Sequence, residues 1–168
     1  MNKKIIAITL IILGTKSLSA QNNSETNKTY EMKQNNNTFI NPPGLFDASK
    51  NGFSHIAIKD ADAELVFISG QWASNENGEL QAKDFEGQVQ QSIKNLKTAL
   101  AAINLTEKDI IKMTIYIADY TPQKKMQLMH AAAPLLSLEV FPASTIVPVP
   151  VLATHPESLI EIEAIATK

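Results

Sequence analysis

Glu161 and Glu163 stand two apart in Ile160-Glu161-Ile162-Glu163-Ala164-Ile165-Ala166, so a strand there would project both carboxylates from one face. Neighbouring carboxylates raise one another's pKa, and a carboxyl kept partly protonated can carry a proton in general acid–base work. Ile160 and Ile162 fall on the opposite face, so the same pattern also fits a solvated sheet surface. Ser69-Gly70-Gln71 offers a hydroxyl, open backbone and an amide together, or a strand end using glycine for its conformational freedom. Trp72 follows it and reads as packing. Other chemistries are excluded. The chain has no cysteine, which removes disulfides, thiolate nucleophiles and cysteine metal sites. His55, His130 and His155 lack paired ligand spacing, so no metal site is expected. No Gly-x-Ser-x-Gly occurs to mark a serine nucleophile.

The elements that must position these residues follow from periodicity. His55–Lys59 and Leu65–Ser69 read as strands joined by the turn Asp60-Ala61-Asp62-Ala63, which predicts a β-hairpin. Asp84 is placed to cap a helix whose apolar stripe runs through Val89, Ile93, Leu96 and Leu100. In Ile110–Ile117 apolar and polar residues alternate as a half-buried strand requires. A second helix is predicted from Pro122 to Leu136, with Met126, Met129, Ala133 and Leu136 toward the core. Strands at Thr145–Val149 and Leu159–Ala166 close the chain. The predicted order is β-β-α-β-α-β-β, an α+β domain with two helices on one face of a mixed sheet. The other face then needs a cover that self-association would supply.

Residues 1–20 read as a signal peptide: Lys3 and Lys4, an apolar run from Ile5 to Leu13, then the small residues up to Ala20. That run is short of the roughly 20 residues needed to cross a bilayer, so no stable membrane anchor is expected after cleavage and the protein is expected to be exported, periplasmic or secreted. Residues 21–38, rich in Asn, Gln, Thr and Ser, are expected to form a flexible polar tail, and residues 39–168 the folded domain. Loss of Lys3, Lys4 and Lys16 leaves 12 basic against 17 acidic residues, a net charge of −5. With the lysines scattered, a nucleic-acid partner is not expected. All fifteen basic residues are lysine; there is no arginine.

Several separated segments resemble the RidA family, also called YjgF or L-PSP endoribonuclease. They are Gly52-Phe53-Ser54-His55, Ser69-Gly70-Gln71, Phe141-Pro142-Ala143 and the Ile160–Ala166 run, in the family's order. Asp84 with Gln88, Ser92, Asn95 and Leu96, and Asp109-Ile110-Ile111-Lys112, also match. The resemblance implies a chorismate-mutase-like fold and a homotrimer whose sheets form a central barrel, with small-molecule clefts between subunits. It also implies cofactor-free hydrolysis of enamines or imines, in which an arginine holds the substrate carboxylate and a glutamate handles water. Carried over by position, the glutamate falls on Glu161, and the ligand-binding positions fall on Phe53, Ser69, Gln127 and Ser144. Phe53 lacks the hydroxyl of the family's usual tyrosine. Ser144 stands where the family has its arginine, and because no copy of the chain contains one, no neighbouring subunit could supply it. Lys59 and Lys112 are candidate substitutes, as point charges without the bidentate fork. The expectation is a trimer binding or hydrolysing a small metabolite other than the usual 2-imino acids. The alternatives are an imine deaminase with a substitute anchor and a non-enzymatic interaction or holdase trimer.

Overall fold

The computed structural model describes residues 30–133 and 138–168. Among the described residues the strands and α-helices follow in the order β1 (Tyr30–Gln34), β2 (Asn37–Asn41), β3 (Ile56–Ile58), β4 (Leu65–Trp72), α1 (Phe85–Ala101), β5 (Ile110–Ala118), α2 (Pro122–Ala132), β6 (Ala143–Val149) and β7 (Ile160–Thr167). The signal-like residues 1–20 and Leu136 lie outside the described residues.

α1 forms where its residues dictate. Asp84 Oδ1 accepts the Gly87 N–H at 2.8 Å, and Phe85, Val89, Ile93, Leu96 and Leu100 are buried along one face. Burying each such side chain contributes about 1.5–3 kcal/mol. That face packs on Met113, Ile115 and Ile117 of β5 and on Ile160, Ile162 and Ala164 of β7. The sheet beneath has the order β4-β7-β5-β6. β7 runs antiparallel to β4 and β5, while β5 and β6 are parallel, as the α2 crossover between them requires. Both helices share one face of this mixed sheet. On the other face, among the described residues, Phe67 is 73% and Leu65 45% exposed.

Three expectations are corrected. Residues 30–38 are not a tail: β1 and β2 pair as a hairpin from Tyr30↔Asn41 to Gln34↔Asn37, turning through Asn35 and Asn36 at φ 49° and 63°. Asparagine tolerates that left-handed backbone, so the polar segment makes a tight two-residue turn. Asn37, fully buried, donates to Thr167 Oγ1 at 2.7 Å and accepts the Asp60 N–H at 3.1 Å, and Phe39 is fully buried beside it. Second, β3 does not pair with β4. It joins β2 in a three-stranded sheet, and β4 pairs with β7. Third, α2 buries Leu128 and Ala131, whereas Met126 is 68% and Met129 41% exposed.

Candidate functional site

Between Ile68 and Gln71 the β4–β7 register slips, leaving Ser69 and Gly70 in a bulge opposite β7. A Cβ on Gly70 would lie 2.7 Å from Glu161 Cδ and 2.8 Å from Cγ, so any larger residue there must displace the glutamate side chain that fills its space. Gly70 is not among the residues of positive φ, so the motif supplies room rather than conformational freedom. Ser69 is exposed at this notch, and the Gln71 side chain donates to its carbonyl at 3.1 Å. The end of β4 is fixed from α1, where Asn95 Nδ2 donates to the carbonyls of Trp72 and Ser74, each at 2.9 Å.

Glu161 and Glu163 do share one face of β7, with unequal surroundings. Tyr116, the register partner of Glu161 on β5, donates its hydroxyl to Glu163 Oε1 at 3.2 Å. Burial and then the Glu163 carboxylate hold the Tyr116 phenol above its ordinary 10.0. Lys112 lies on the same face. Burial pushes its ammonium below the ordinary 10.5, and Glu163 opposes that shift. Its Nζ donates to the Met113 carbonyl at 2.6 Å and to Thr145 Oγ1 at 3.4 Å. Glu161 receives a longer hydrogen bond, from Thr154 Oγ1 at 3.4 Å. Each carboxylate thus accepts one hydrogen bond and keeps acceptor capacity for a ligand or water, the bond at Glu161 being the weaker.

Phe53 and Ser144 form a second group. Ser54 N–H donates to the Pro142 carbonyl at 3.0 Å and its hydroxyl to the Phe141 carbonyl at 2.8 Å, which draws Phe53 alongside the start of β6. Phe53 packs edge-on against Phe46 at 5.8 Å and His55 at 5.6 Å. Phe53 and Ser144 line a cavity of about 570 Å³ with Ile93, Leu96 and Leu128. Ala133 and Leu138, the residues that flank 134–137, lie on its wall.

Strand alternation separates the two groups. Ser144 pairs with Met113 and shares its helix-side face, whereas Glu161 pairs with Tyr116 on the open face. Within one chain Glu161 and Ser69 meet at one place, Phe53 and Ser144 at another. Gln127, half-buried on α2, is not among the residues lining the cavity. Lys59 is no substitute anchor, because its ammonium caps the carbonyls of Asp60, Ala61 and Ala63 in its own turn. Sequence reasoning missed Tyr116, Thr154 and the Trp72–His155 stack, whose ring centroids are 5.7 Å apart. A lone tryptophan and a loop Thr-His pair carry no periodic signal. Among the described residues, no cluster of three or more His, Asp or Glu could hold a metal, and no helix is long and apolar enough to cross a membrane.

Comparison with known proteins gives consistent matches. The model of the family described as Endoribonuclease L-PSP matches residues 46–168. A RutC family protein of Pyrococcus horikoshii is 35% identical over 107 residues, 62% of this chain and 79% of the relative. The crystal structure of YyfB, of the conserved Rid protein family, from Yersinia pestis superposes with a TM-score of 0.73 at 31% identity, covering 79% of this chain and 99% of that one. That of Escherichia coli TdcF with bound serine gives a TM-score of 0.55 at 30% identity, covering 66% and 84%.

Proposed function

This chain belongs to the Endoribonuclease L-PSP family, the RidA and YjgF group, and from that premise we propose that it is an exported homotrimer whose inter-subunit clefts bind or hydrolyse a small metabolite other than the 2-imino acids. The observation that carries the reading is Ser144 at the family's arginine position in a chain without arginine. A bidentate arginine–carboxylate pair contributes about 1.5–3 kcal/mol, or roughly 10- to 150-fold in affinity, and serine has no charge with which to replace it. TdcF holds serine, a small amino acid, which agrees with a small-molecule cleft.

The trimer is supported by the open sheet face with Phe67 73% exposed, an apolar surface that a second copy would cover. It is supported also by the separation of Glu161 and Ser69 from Phe53 and Ser144, since a cleft between copies would draw one group from each. Export rests on Lys3, Lys4 and the Ile5–Leu13 run. In the cleft Glu161 orients a water or hydrogen-bonds the ligand, and no cofactor is called for. A second reading, deamination with Lys112 as the anchor, is favoured by the position of that ammonium on the same face as Glu163. Against it, the Lys112 ammonium is already bonded to a carbonyl at 2.6 Å.

The test is sedimentation of the purified protein together with a screen of small metabolites for binding and turnover, repeated with Glu161→Gln. A trimer that turns over a ligand and loses far more turnover than affinity in Glu161→Gln assigns Glu161 to catalysis. Retained turnover would remove Glu161 from that role, and a monomer would remove the inter-subunit cleft.

A further inference from the structure

Thr154 bonds the Glu161 carboxylate, Trp72 stands opposite Glu161 on β4 and His155 stacks on Trp72, and none of the three is a position the family resemblance assigns. Trp72 is the register partner of Glu161. Its indole lies nearly flat against the His155 imidazole, 5.7 Å between centroids and 16° between planes. His155 is held from its own loop: the Glu157 N–H donates to its Nδ1 at 3.1 Å, and the Ser158 N–H to its carbonyl at 3.0 Å. Because Nδ1 accepts, the neutral ring carries its proton on Nε2. The loop end is fixed in turn by the buried Gln88, which donates to the Glu157 carbonyl at 3.0 Å and accepts the Leu159 N–H at 2.7 Å. Next along that loop, Thr154 reaches the Glu161 carboxylate itself. The aromatic pair and the carboxylate are thus set by one framework, and neither ring is fully buried.

The chemistry of that wall selects for a type of ligand. A paired indole and imidazole offer flat π surface, which favours planar groups and, over indole, cations. The carboxylates of Glu161 and Glu163 outnumber the ammonium of Lys112, which is already bonded to Met113 and Thr145. The ligand that suits these groups is flat, rich in N–H donors and positively charged.

We propose that Trp72, Thr154 and His155 are the specificity wall of the Glu161 site, and that the site takes a planar nitrogen cation, an amidine or protonated heteroaromatic group, stacked on the Trp72–His155 pair with its N–H groups on Glu161. The proposal rests on the reading of Glu161 as part of a ligand cleft, and it replaces the carboxylate-bearing substrates that an arginine would select. Trp72 contacts the ligand; His155 positions Trp72.

The chain has one tryptophan, so its emission reports on this wall alone. Three near-isosteric probes differing in charge, benzamidine, benzamide and benzoate, are titrated into the purified protein while Trp72 emission is followed, with calorimetry in parallel. The expected result is saturable benzamidine binding at least tenfold tighter than benzamide, with benzoate weaker still. Glu161→Gln should weaken benzamidine roughly tenfold and bring it level with benzamide, because a charge-assisted bond becomes an ordinary one. Trp72→Leu, followed by calorimetry, should lose affinity that Trp72→Phe retains, which separates stacking from a merely structural role. Benzoate binding as tightly as benzamidine, or benzamidine binding unchanged in Glu161→Gln, overturns the proposal while leaving a small-molecule cleft in place. Saturable binding of none of the three overturns the proposal; loss of the trimer in the same preparation would overturn the cleft reading with it.

Discussion

Gln88 is the residue through which α1 sets the approach to β7, and its removal is the most informative perturbation of the scaffold. It is fully buried and makes three hydrogen bonds: Nε2 donates to the Ala82 and Glu157 carbonyls, both at 3.0 Å, and Oε1 accepts the Leu159 N–H at 2.7 Å. Each is worth about 0.5–1.5 kcal/mol net, so Gln88→Ala should destabilise by about 3 kcal/mol. For a chain of this size that corresponds to a fall in Tm of roughly 6–12 °C. Gln90→Ala, on the exposed side of the same helix, is the control and should stay within about 0.5 kcal/mol of wild type. Urea unfolding at fixed protein concentration measures both, the fixed concentration being needed because assembly contributes to apparent stability. The loop held by Gln88 carries His155, so the emission of Trp72 in the folded variant should also change. A loss below about 1 kcal/mol with unaltered emission would refute the account of how Glu161 and its wall are held.

Gly70→Ala should force the Glu161 side chain into another rotamer, costing about 1 kcal/mol of stability and, with the carboxylate displaced by about 1 Å, roughly 100-fold in any Glu161-dependent turnover; a crystal structure of the variant would show the shift. Phe67→Lys, 73% exposed in a single chain, should leave the isolated fold intact but put a charge into the proposed interface, so sedimentation should show dissociation. Tyr116 should ionise above 10.0, and Glu163→Gln should bring its tyrosinate absorbance back toward that value without reaching it, because burial is the larger cause. The sign follows from proton binding: the folded state keeps the Tyr116 proton longer, so that stability is present below pH 10.0 and lost as pH rises through the folded value. For Lys112, depressed when folded, the sign is opposite, and stability gains as pH climbs from its folded value toward 10.5.

Residues whose local pattern sets their structure were legible in the sequence. The Asp84 cap and its apolar stripe gave α1, and alternation gave β5 and β7 with Glu161 and Glu163 on one face. Alternation identifies a strand's faces but not its partner, which is why β3 was paired with β4 instead of β2. The β1–β2 hairpin is not legible in the sequence because its order comes from Asn35 and Asn36 in left-handed backbone and from Asn37 bonding to Thr167, 130 residues away. The opposite facing of Ser144 and Glu161 was hidden for a similar reason. It depends on the parallel register that sets Ser144 against Met113, which neither strand encodes alone. At α2 a 3.6-residue spacing fitted the methionines, but the helix turns Leu128 and Ala131 inward.

The most direct test of the central claim is keto acid release from freshly generated 2-imino acids by the purified protein, beside a family member that retains the arginine. Release at the buffer rate is expected from this chain and rapid release from the relative, because Ser144 cannot hold a carboxylate. Release at a rate comparable to the relative would show that another group, Lys112 foremost, anchors the carboxylate, and would contradict the claim that the ligand has changed.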